Sequence, residues 1–332
     1  MLCILYVNVV GVLLGVAALL VERVLPAAFP RRWLWGATIP ISMVLPGVYR
    51  AQHNWSLMST ATHGGQPAMD HMAGGGWMAA LGPSVWGRIE ALDPTINRLW
   101  QIASWTLFAW GIANALRVLY VVHAARVAKG RSRGPAVLDG VPVVFTDTAG
   151  PATVGVWRPK VLMPSWVLAM PAVQRRYVVR HEEEHRRTHD ARLLFVASLP
   201  LLLMPWNLAL WWQLRRLCLA VELDCDTRVV AALGDARRYG TLLLRVAEAA
   251  NRGPRLQPAF LGGTGTLERR LAELLAPTPL RRGQRFLLPA LAALLLFIVA
   301  MMPHPIIRPD AHTHGATASA PVMSSPTRNS AR

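Results

Sequence analysis

Apolar residues gather along the chain in long blocks, and polar, arginine-rich stretches separate these blocks. A bilayer core is about 30 Å thick, so about twenty apolar residues suffice for a helix to cross it. We therefore predict four transmembrane spans, at about 2–21, 33–48, 99–122 and 286–302. Pro40 and Pro46 interrupt the second span, but membrane helices tolerate proline. The first block lacks a basic start and a clear small-residue cleavage site, so we interpret it as a retained span.

Composition agrees with a membrane protein. Of the 332 residues 53% are hydrophobic and only 16% charged, and 35 Lys and Arg against 18 Asp and Glu give a net charge of +17. Such a balance can indicate nucleic-acid binding, but no nucleic-acid motif is visible, so we expect no direct nucleic-acid contact. Arginines that flank membrane spans explain the charge. The three cysteines show no C-x-x-C spacing and no disulfide framework.

The arginine distribution also predicts an orientation. The positive-inside rule places the basic segments 123–190 and 213–285 in the cytoplasm. The predicted organisation is a three-span membrane region at 1–122 with an external loop at 50–97, a cytoplasmic domain at 123–285, a final span at 286–302 and a disordered external tail at 303–332. The tail is rich in Ala, Ser, Thr and Pro, which is typical of disorder.

The cytoplasmic domain begins with short strands, predicted at 141–146, 153–157 and 160–163 from their apolar and β-branched residues between turn signals. A helix follows, because apolar and aromatic side chains recur there at four-residue steps. This helix contains His181-Glu-Glu-Glu-His185, an H-E-x-x-H pattern that puts both imidazoles on one face. Two such rings can bind one zinc ion at about 2.0–2.1 Å. Glu182 would then accept a proton from the attacking water.

Glu222 and Asp226 are the candidates that complete the site. They lie four residues apart in a predicted helix, so both can face the same way. In a site of two histidines and a glutamate, Glu222 is the third ligand, and Asp226 accepts a hydrogen bond from the second nitrogen of a ligand histidine. The alternative is a surface acidic pair beside arginines.

A shared metal requires the apolar block 193–212 to turn back instead of crossing. If it crossed the bilayer, the histidines and Glu222 would lie on opposite sides. We therefore predict a re-entrant or interfacial hairpin, with breaks at Pro200, Pro205 and Asn207 and with tryptophans at interfacial depth.

These motifs together resemble the BlaR/MecR-type membrane zinc metallopeptidases, which act as antirepressors. The resemblance is carried by 150–164, by the H-E-x-x-H helix that ends in Asp190, by Pro-Trp-Asn at 205–207, by E-x-x-x-D at 222–226 and by 236–244. It implies an α-helical membrane protein with an inserted α+β, gluzincin-like domain in the bacterial inner membrane, with its site facing the cytoplasm. It also implies one Zn²⁺ per chain bound by His181, His185 and Glu222, with Glu182 as the base. Asp226 would accept a hydrogen bond from a ligand histidine.

Two features depart from that family. Glu183 and Glu184 stand where its members usually have small or apolar residues, and we expect them to point to solvent near Arg180, Arg186 and Arg187. The well-known members carry an external penicillin-binding sensor domain after the last span. About thirty residues follow the last span here, too few for such a domain.

Several other residues are weaker candidates. His189 lies one turn after His185, where a solvated role is more common than metal binding. Tyr239 is a candidate transition-state donor, although packing is the alternative. Histidines and methionines in the loop 50–97 match no defined metal spacing, so a loop without metal affinity is favoured. The segment 277–285 is a candidate for self-cleavage, with a plain linker as the alternative.

The function predicted from the sequence is a membrane-embedded zinc endopeptidase that cleaves itself, a transcriptional repressor or another membrane-associated protein. The partners expected are the membrane and a peptide or protein substrate, with a winged-helix repressor as one candidate, and a homodimer is left open. The alternatives are a constitutive quality-control protease and a non-catalytic signalling scaffold of the same fold. A transporter is disfavoured, since no span carries a charge in its middle.

Overall fold

The computed structural model describes residues 2–26, 29–62, 94–95, 98–106, 108–113, 116, 136–146, 150–250, 264–275 and 282–302. This part of the chain is mostly helical and has one small sheet. The helices are α1 (Leu2–Val24), α2 (Arg31–Thr62), α3 (Ala172–Thr188), α4 (Asp190–Leu203), α5 (Leu208–Leu233), α6 (Ala236–Ala250), α7 (Thr264–Leu275) and α8 (Arg282–Met301). Residues 98–106 and 108–113 are also helical. The strands are β1 (Ala136–Leu138), β2 (Val141–Thr146), β3 (Ala152–Val154) and β4 (Lys160–Pro164).

The apolar blocks predicted as spans are helical where they are described, up to Met301. Within the described ranges, two helices, over Leu5–Val24 and Arg282–Met301, are long and apolar enough to cross a membrane. Many apolar side chains of α8 are exposed, among them Phe286 and Phe297, as expected of a surface that faces lipid. Four crossings remain a prediction.

Helix α2 continues to Thr62, into the segment that we predicted as the start of the external loop. Most of the remaining loop lies outside the described residues, and all of the tail 303–332 does. The disorder expected of the tail and the lack of metal affinity expected of the loop therefore stay predictions. Of the candidate cleavage segment 277–285, the first five residues also lie outside the described ranges. Residues 282–285 form the first turn of α8 and are therefore not part of a linker.

Helix α1 packs closely against α5 through Gly11 and Gly15, which lie one turn apart. A Cβ at Gly11 would lie 2.7 Å from Cβ of Ala209, and one at Gly15 would collide with the ring of Trp212. Small residues at this spacing allow the close helix contacts on which association in a bilayer depends. Nε2 of Gln213 also donates to the carbonyl of Gly11 at 2.7 Å.

We expect Gly15→Leu to destabilise the fold by about 1–3 kcal/mol, because the added side chain forces α1 away from α5. Gly47→Leu in α2 is the matched control, since nothing lies within 4 Å of a Cβ placed there. Thermal unfolding in detergent should have a lower midpoint for Gly15→Leu only. Equal midpoints for the two variants would rule out the close α1–α5 contact.

Helices α4 and α5 turn back on each other within 193–212. The position of this hairpin in the bilayer stays a prediction. The break lies at 204–207. Pro205 is in this turn, and Asn207 caps α5 by accepting a hydrogen bond from the backbone N–H three residues on, at 3.2 Å. Pro200 does not break the chain, contrary to our expectation, and lies inside α4.

The hairpin turn lies beside the beginning of α1. The N–H of Leu208 donates to Oδ1 of Asn8 at 2.9 Å. The other end of the hairpin, where Arg216 contacts Glu22 at 2.7 Å, lies beside the end of α1. The chain therefore returns to the side from which it came, and the histidine helix and Glu222 share that side.

The sheet has the order β1-β2-β4-β3, with β2 and β4 parallel and the other pairs antiparallel. β1 was not predicted from the sequence. Asp139 and Gly140 join β1 to β2 with positive φ values of 49° and 82°, as tight hairpin turns require. β3 is an edge strand and contacts α3 through Thr153. This edge is the part of the sheet nearest to the H-E-x-x-H residues.

Two of the apolar cores of the described residues support this arrangement. The first joins the sheet to α3, α5 and α6, and its fully buried members include Val143, Val161, Met163, Val167, Cys225 and Val229. The second joins α1, α2, α4 and α5, and Trp35 and Ile39 are its largest fully buried members. Helix α5 belongs to both cores and therefore connects the apolar hairpin to the sheet.

Candidate metal centre

The H-E-x-x-H residues lie in the second half of α3. His181 and His185 are half-buried, and Glu182 is buried. Helix α3 ends at His189, whose φ of 54° is left-handed, and Asp190 starts α4 directly afterwards. His189 itself is exposed at this joint. The sharp turn places the Asp190 carboxylate behind His185.

His181, His185 and Glu222 meet at one point. The two Nε2 atoms are 3.3 Å apart, and the carboxylate oxygens of Glu222 lie 3.5 Å from Nε2 of His181 and 3.8 Å from Nε2 of His185. Ligands about 2.0–2.1 Å from a tetrahedral zinc lie about 3.3 Å from one another. The three groups therefore fit a single zinc ion in type and in spacing.

The second nitrogen of each ring has a hydrogen-bond partner. Nδ1 of His185 lies 2.8 Å from Oδ2 of Asp190. Nδ1 of His181 lies 2.9 Å from the hydroxyl of Tyr239, which donates to Asp226 at 2.7 Å. We predicted a direct hydrogen bond from a ligand histidine to Asp226, but Asp226 is 3.6 Å from Nδ1 of His181. The Tyr239 hydroxyl lies between them and connects the two groups. Because Nδ1 of each ring already has a partner, Nε2 is the nitrogen that faces Glu222 and is placed to bind a metal.

Tyr239 is buried, with 1% of its surface exposed, and its ring stacks on Tyr177 at 5.6 Å between centroids. Burial and the neighbouring Asp226 carboxylate raise the pKa of Tyr239 well above its usual value, so the hydroxyl keeps its proton. Because that hydroxyl already contacts Asp226 and His181, its position favours holding His181 over the transition-state role that we considered.

The candidate base, Glu182, contacts the edge strand. The Thr153 hydroxyl lies 2.7 Å from the backbone oxygen of Glu182 and 3.1 Å from its Oε2. This contact fixes the carboxylate at the boundary between α3 and β3. A buried carboxylate therefore lies beside the edge strand of the sheet.

Glu183 and Glu184 are buried, although we expected them to face solvent. The arginines we expected are nevertheless their partners. Glu183 accepts from Arg186 at 2.6 Å and from Arg187 at 2.8 Å, and Glu184 contacts Arg180 at 2.6 Å. The hydrogen bond from Arg186 outweighs burial and lowers the pKa of Glu183. These ion pairs leave Glu222 as the carboxylate that faces the histidines.

Arg270 of α7 holds the two carboxylates of α5. Its guanidinium lies 2.8 Å from Glu222 and 2.7 Å from both oxygens of Asp226. Burial alone would raise the pKa of Glu222, but Arg270 and the histidines outweigh it and hold that pKa far below its usual value. Glu222 is therefore ionised, as a metal ligand must be.

Cys225 is a further ligand-type residue near the histidines, and it was not among the predicted site residues. Atoms of His181, His185 and Cys225 lie within 4.8 Å of one another. The sulfur is 3.3 Å from Nδ1 of His181, the nitrogen that also contacts Tyr239. Burial alone would lower the pKa of His181, but Cys225 and Glu222 outweigh it and raise that pKa to about 10. The side chains around His181 thus create a negative electrostatic potential, which favours binding of a cation.

Asp190, Arg270 and Cys225 were the partners that sequence reasoning did not assign. Asp190 had a usable signal, because it follows His185 by five residues at the end of the helix. Arg270 lies 44 residues from Asp226, and no local pattern links it to Glu222. Cys225 lies inside the E-x-x-x-D segment, where it was passed over for lack of a cysteine partner.

Two histidines, a facing carboxylate and a buried glutamate beside a strand edge define a site of the metallopeptidase kind. The chain belongs to the BlaR1 peptidase family, M56, which matches residues 2–274. No curated protein and no solved structure matched the chain. The family, together with the two apolar helices, indicates a membrane protein.

Proposed function

We propose that this protein is a zinc endopeptidase whose metal ligands are His181, His185 and Glu222. The observation that supports this most directly is the spacing of their atoms, 3.3 to 3.8 Å, on two different helices. A solvated acidic pair, the alternative for Glu222 and Asp226, does not account for Glu222 facing two imidazoles. When bound, zinc would acidify a water molecule and polarise a peptide carbonyl.

Glu182 is the proton acceptor in this proposal. It would take the proton of the attacking water and later give it to the leaving amine. Thr153 holds its carboxylate, and Asp190 and Tyr239 hold the rings of His185 and His181 through Nδ1. Each reacting group is therefore fixed by a partner of its own.

A substrate segment would pair in extended form with β3. This strand lies at the sheet edge, beside Glu182, and its far side is not paired with another strand in the described residues. The turn after β3 is fixed by Arg192, which donates to the carbonyl oxygens of Val156 and Trp157 at 3.0 and 2.8 Å. An edge held in this way can add a peptide strand through main-chain hydrogen bonds.

The proposal includes four spans, a gluzincin-like domain at 123–285 and a site at the cytoplasmic surface of the bacterial inner membrane. The return of the α4–α5 hairpin supports this arrangement, because it keeps both ligand helices on one side. Regulated cleavage of itself, of a winged-helix repressor or of another membrane-associated protein is the proposed role. The alternatives are constitutive quality control, which needs no repressor, and a non-catalytic scaffold, against which the intact Glu182 argues.

Metal analysis of the purified protein tests the ligand set. We expect one zinc per chain in the wild type and in Glu182→Ala, and loss of zinc in His185→Ala and Glu222→Ala. Cys225→Ser is the matched control on α5, and it should keep its zinc because the sulfur lies on the Nδ1 side of His181. Retention in Glu222→Ala combined with loss in Cys225→Ser would move the third ligand position to Cys225.

A further inference from the structure

The first turn of α2 reaches the candidate metal centre. The backbone N–H groups of Arg31 and Arg32 donate to the two carboxylate oxygens of Asp224, each at 3.0 Å. The first N–H groups of a helix have no partner within it, so Asp224 caps α2 from 192 residues away along the chain. Asp224 lies in α5 between Glu222 and Asp226. The beginning of a predicted membrane helix is therefore attached to the ligand helix.

The Arg32 side chain continues this contact towards a histidine. Its NH1 lies 3.0 Å from Oδ1 of Asp190, and the other oxygen of that carboxylate lies 2.8 Å from Nδ1 of His185. The Asp190 side chain is 3% exposed and that of Arg32 is 12% exposed, so the pair is shielded from water. The next cation, Arg228, is 3.9 Å from Asp190 and is already paired with Glu184.

We propose that Arg32 is a positioning residue for the metal ligand His185 and acts through Asp190. This inference rests on the proposed metal site. Arg32 balances the buried charge of Asp190. It also fixes the orientation in which the carboxylate accepts a hydrogen bond from Nδ1–H of His185. The orientation of His185 then depends on where α2 begins. The metal centre is thereby attached to the α1–α2 hairpin as well as to its own domain.

Arg31 provides a matched comparison. It precedes Arg32, is equally shielded with 14% of its side chain exposed, and pairs with Glu273 of α7 instead of Asp190. Replacing either side chain by glutamine removes one positive charge from the same helix end and leaves both backbone N–H groups on Asp224. Only the Arg32 substitution removes the contact with Asp190.

The experiment measures metal binding of the full-length protein in lipid nanodiscs. Zinc affinity comes from competition with a chelator, and the absorption spectrum of the cobalt-substituted protein reports ligand geometry. We expect Asp190→Asn to weaken zinc binding by about 10–100-fold, as loss of a ligand's hydrogen-bond partner does. Arg32→Gln should cause a loss of several-fold to about tenfold with a changed cobalt spectrum. Arg32→Lys, which keeps the charge, should restore most of the affinity, and Arg31→Gln should match the wild type.

The double variant distinguishes positioning through Asp190 from general damage to α2. If Arg32 acts through Asp190, Arg32→Gln causes no further loss in the Asp190→Asn protein. Additive losses, an equal loss in Arg31→Gln, or wild-type affinity in Arg32→Gln would each overturn the inference. Thermal unfolding of every variant checks that it is folded, and Arg32→Lys against the wild type gives the same comparison with a smaller change. Failure of the proposed function shows separately, as no zinc in the wild type or undiminished zinc in His185→Ala.

Discussion

Glu182→Gln is expected to lower peptide hydrolysis by about 10²–10⁴-fold while the protein keeps its zinc. Glutamine has the same shape and retains an oxygen for the Thr153 hydroxyl, but it cannot accept a proton from the attacking water. The Glu182 carboxylate is not one of the three groups that meet at the proposed metal position, so zinc binding should be unaffected. Cleavage of a fluorogenic peptide library, with metal content measured on the same sample, checks both halves of the expectation.

Glu183→Gln is the control next to it. Glu183 is also buried in α3, but its carboxylate pairs with Arg186 and Arg187. Its loss should reduce stability and leave hydrolysis per folded molecule close to the wild-type value. More than half of the wild-type activity in Glu182→Gln, or an equal loss in both variants, would exclude Glu182 as the base.

Arg270→Leu is expected to destabilise the metal-free protein by about 3–5 kcal/mol, which is the usual cost of breaking a buried ion pair by removing one partner. Leucine fills part of the space but leaves the half-buried carboxylate of Glu222 and the buried carboxylate of Asp226 without their arginine. Asp226 has 1% of its side chain exposed, so water cannot replace the lost contact. Chemical unfolding in detergent with a chelator present measures the loss.

Added zinc should restore part of that stability, because the cation neutralises Glu222 and binds only the folded state. Arg269→Leu is the matched control, since Arg269 is the preceding residue of α7 and is exposed. Equal unfolding midpoints for the two variants, with and without zinc, would contradict the role given to Arg270.

Local patterns predicted the parts of this site that depend on one helix. The spacing of His181 and His185 requires only a regular α-helix, and α3 provides it. The turn at 204–207 was predicted from the need for a shared metal, which no single segment expresses. Pro200 was misassigned as a break because proline removes only one hydrogen bond, and the remaining contacts of α4 kept the helix intact.

Contacts between residues that are far apart in the sequence could not be predicted from local patterns. Arg270 and Arg32 are two among 35 basic residues, and only the packing of α7 and α2 against α5 selects them. The burial of Glu183 and Glu184 was missed for a similar reason. A carboxylate-rich helix is normally solvated, and its arginine partners become decisive only once the neighbouring elements exclude water. Composition shows that arginines are abundant, but it does not show which carboxylate each arginine pairs with.

The joint at His189 has a consequence for which bonds the proposed peptidase would cut. One residue separates α3 from α4, so the proposed histidine ligands of α3 are held close to the apolar hairpin. Helix α4 has 14 residues and rises about 21 Å from this joint to the hairpin turn. If the hairpin lies in the bilayer, its depth sets the height of the metal above the lipid headgroups. The proposed peptidase would then cut only peptide bonds that lie at a fixed distance from the membrane surface.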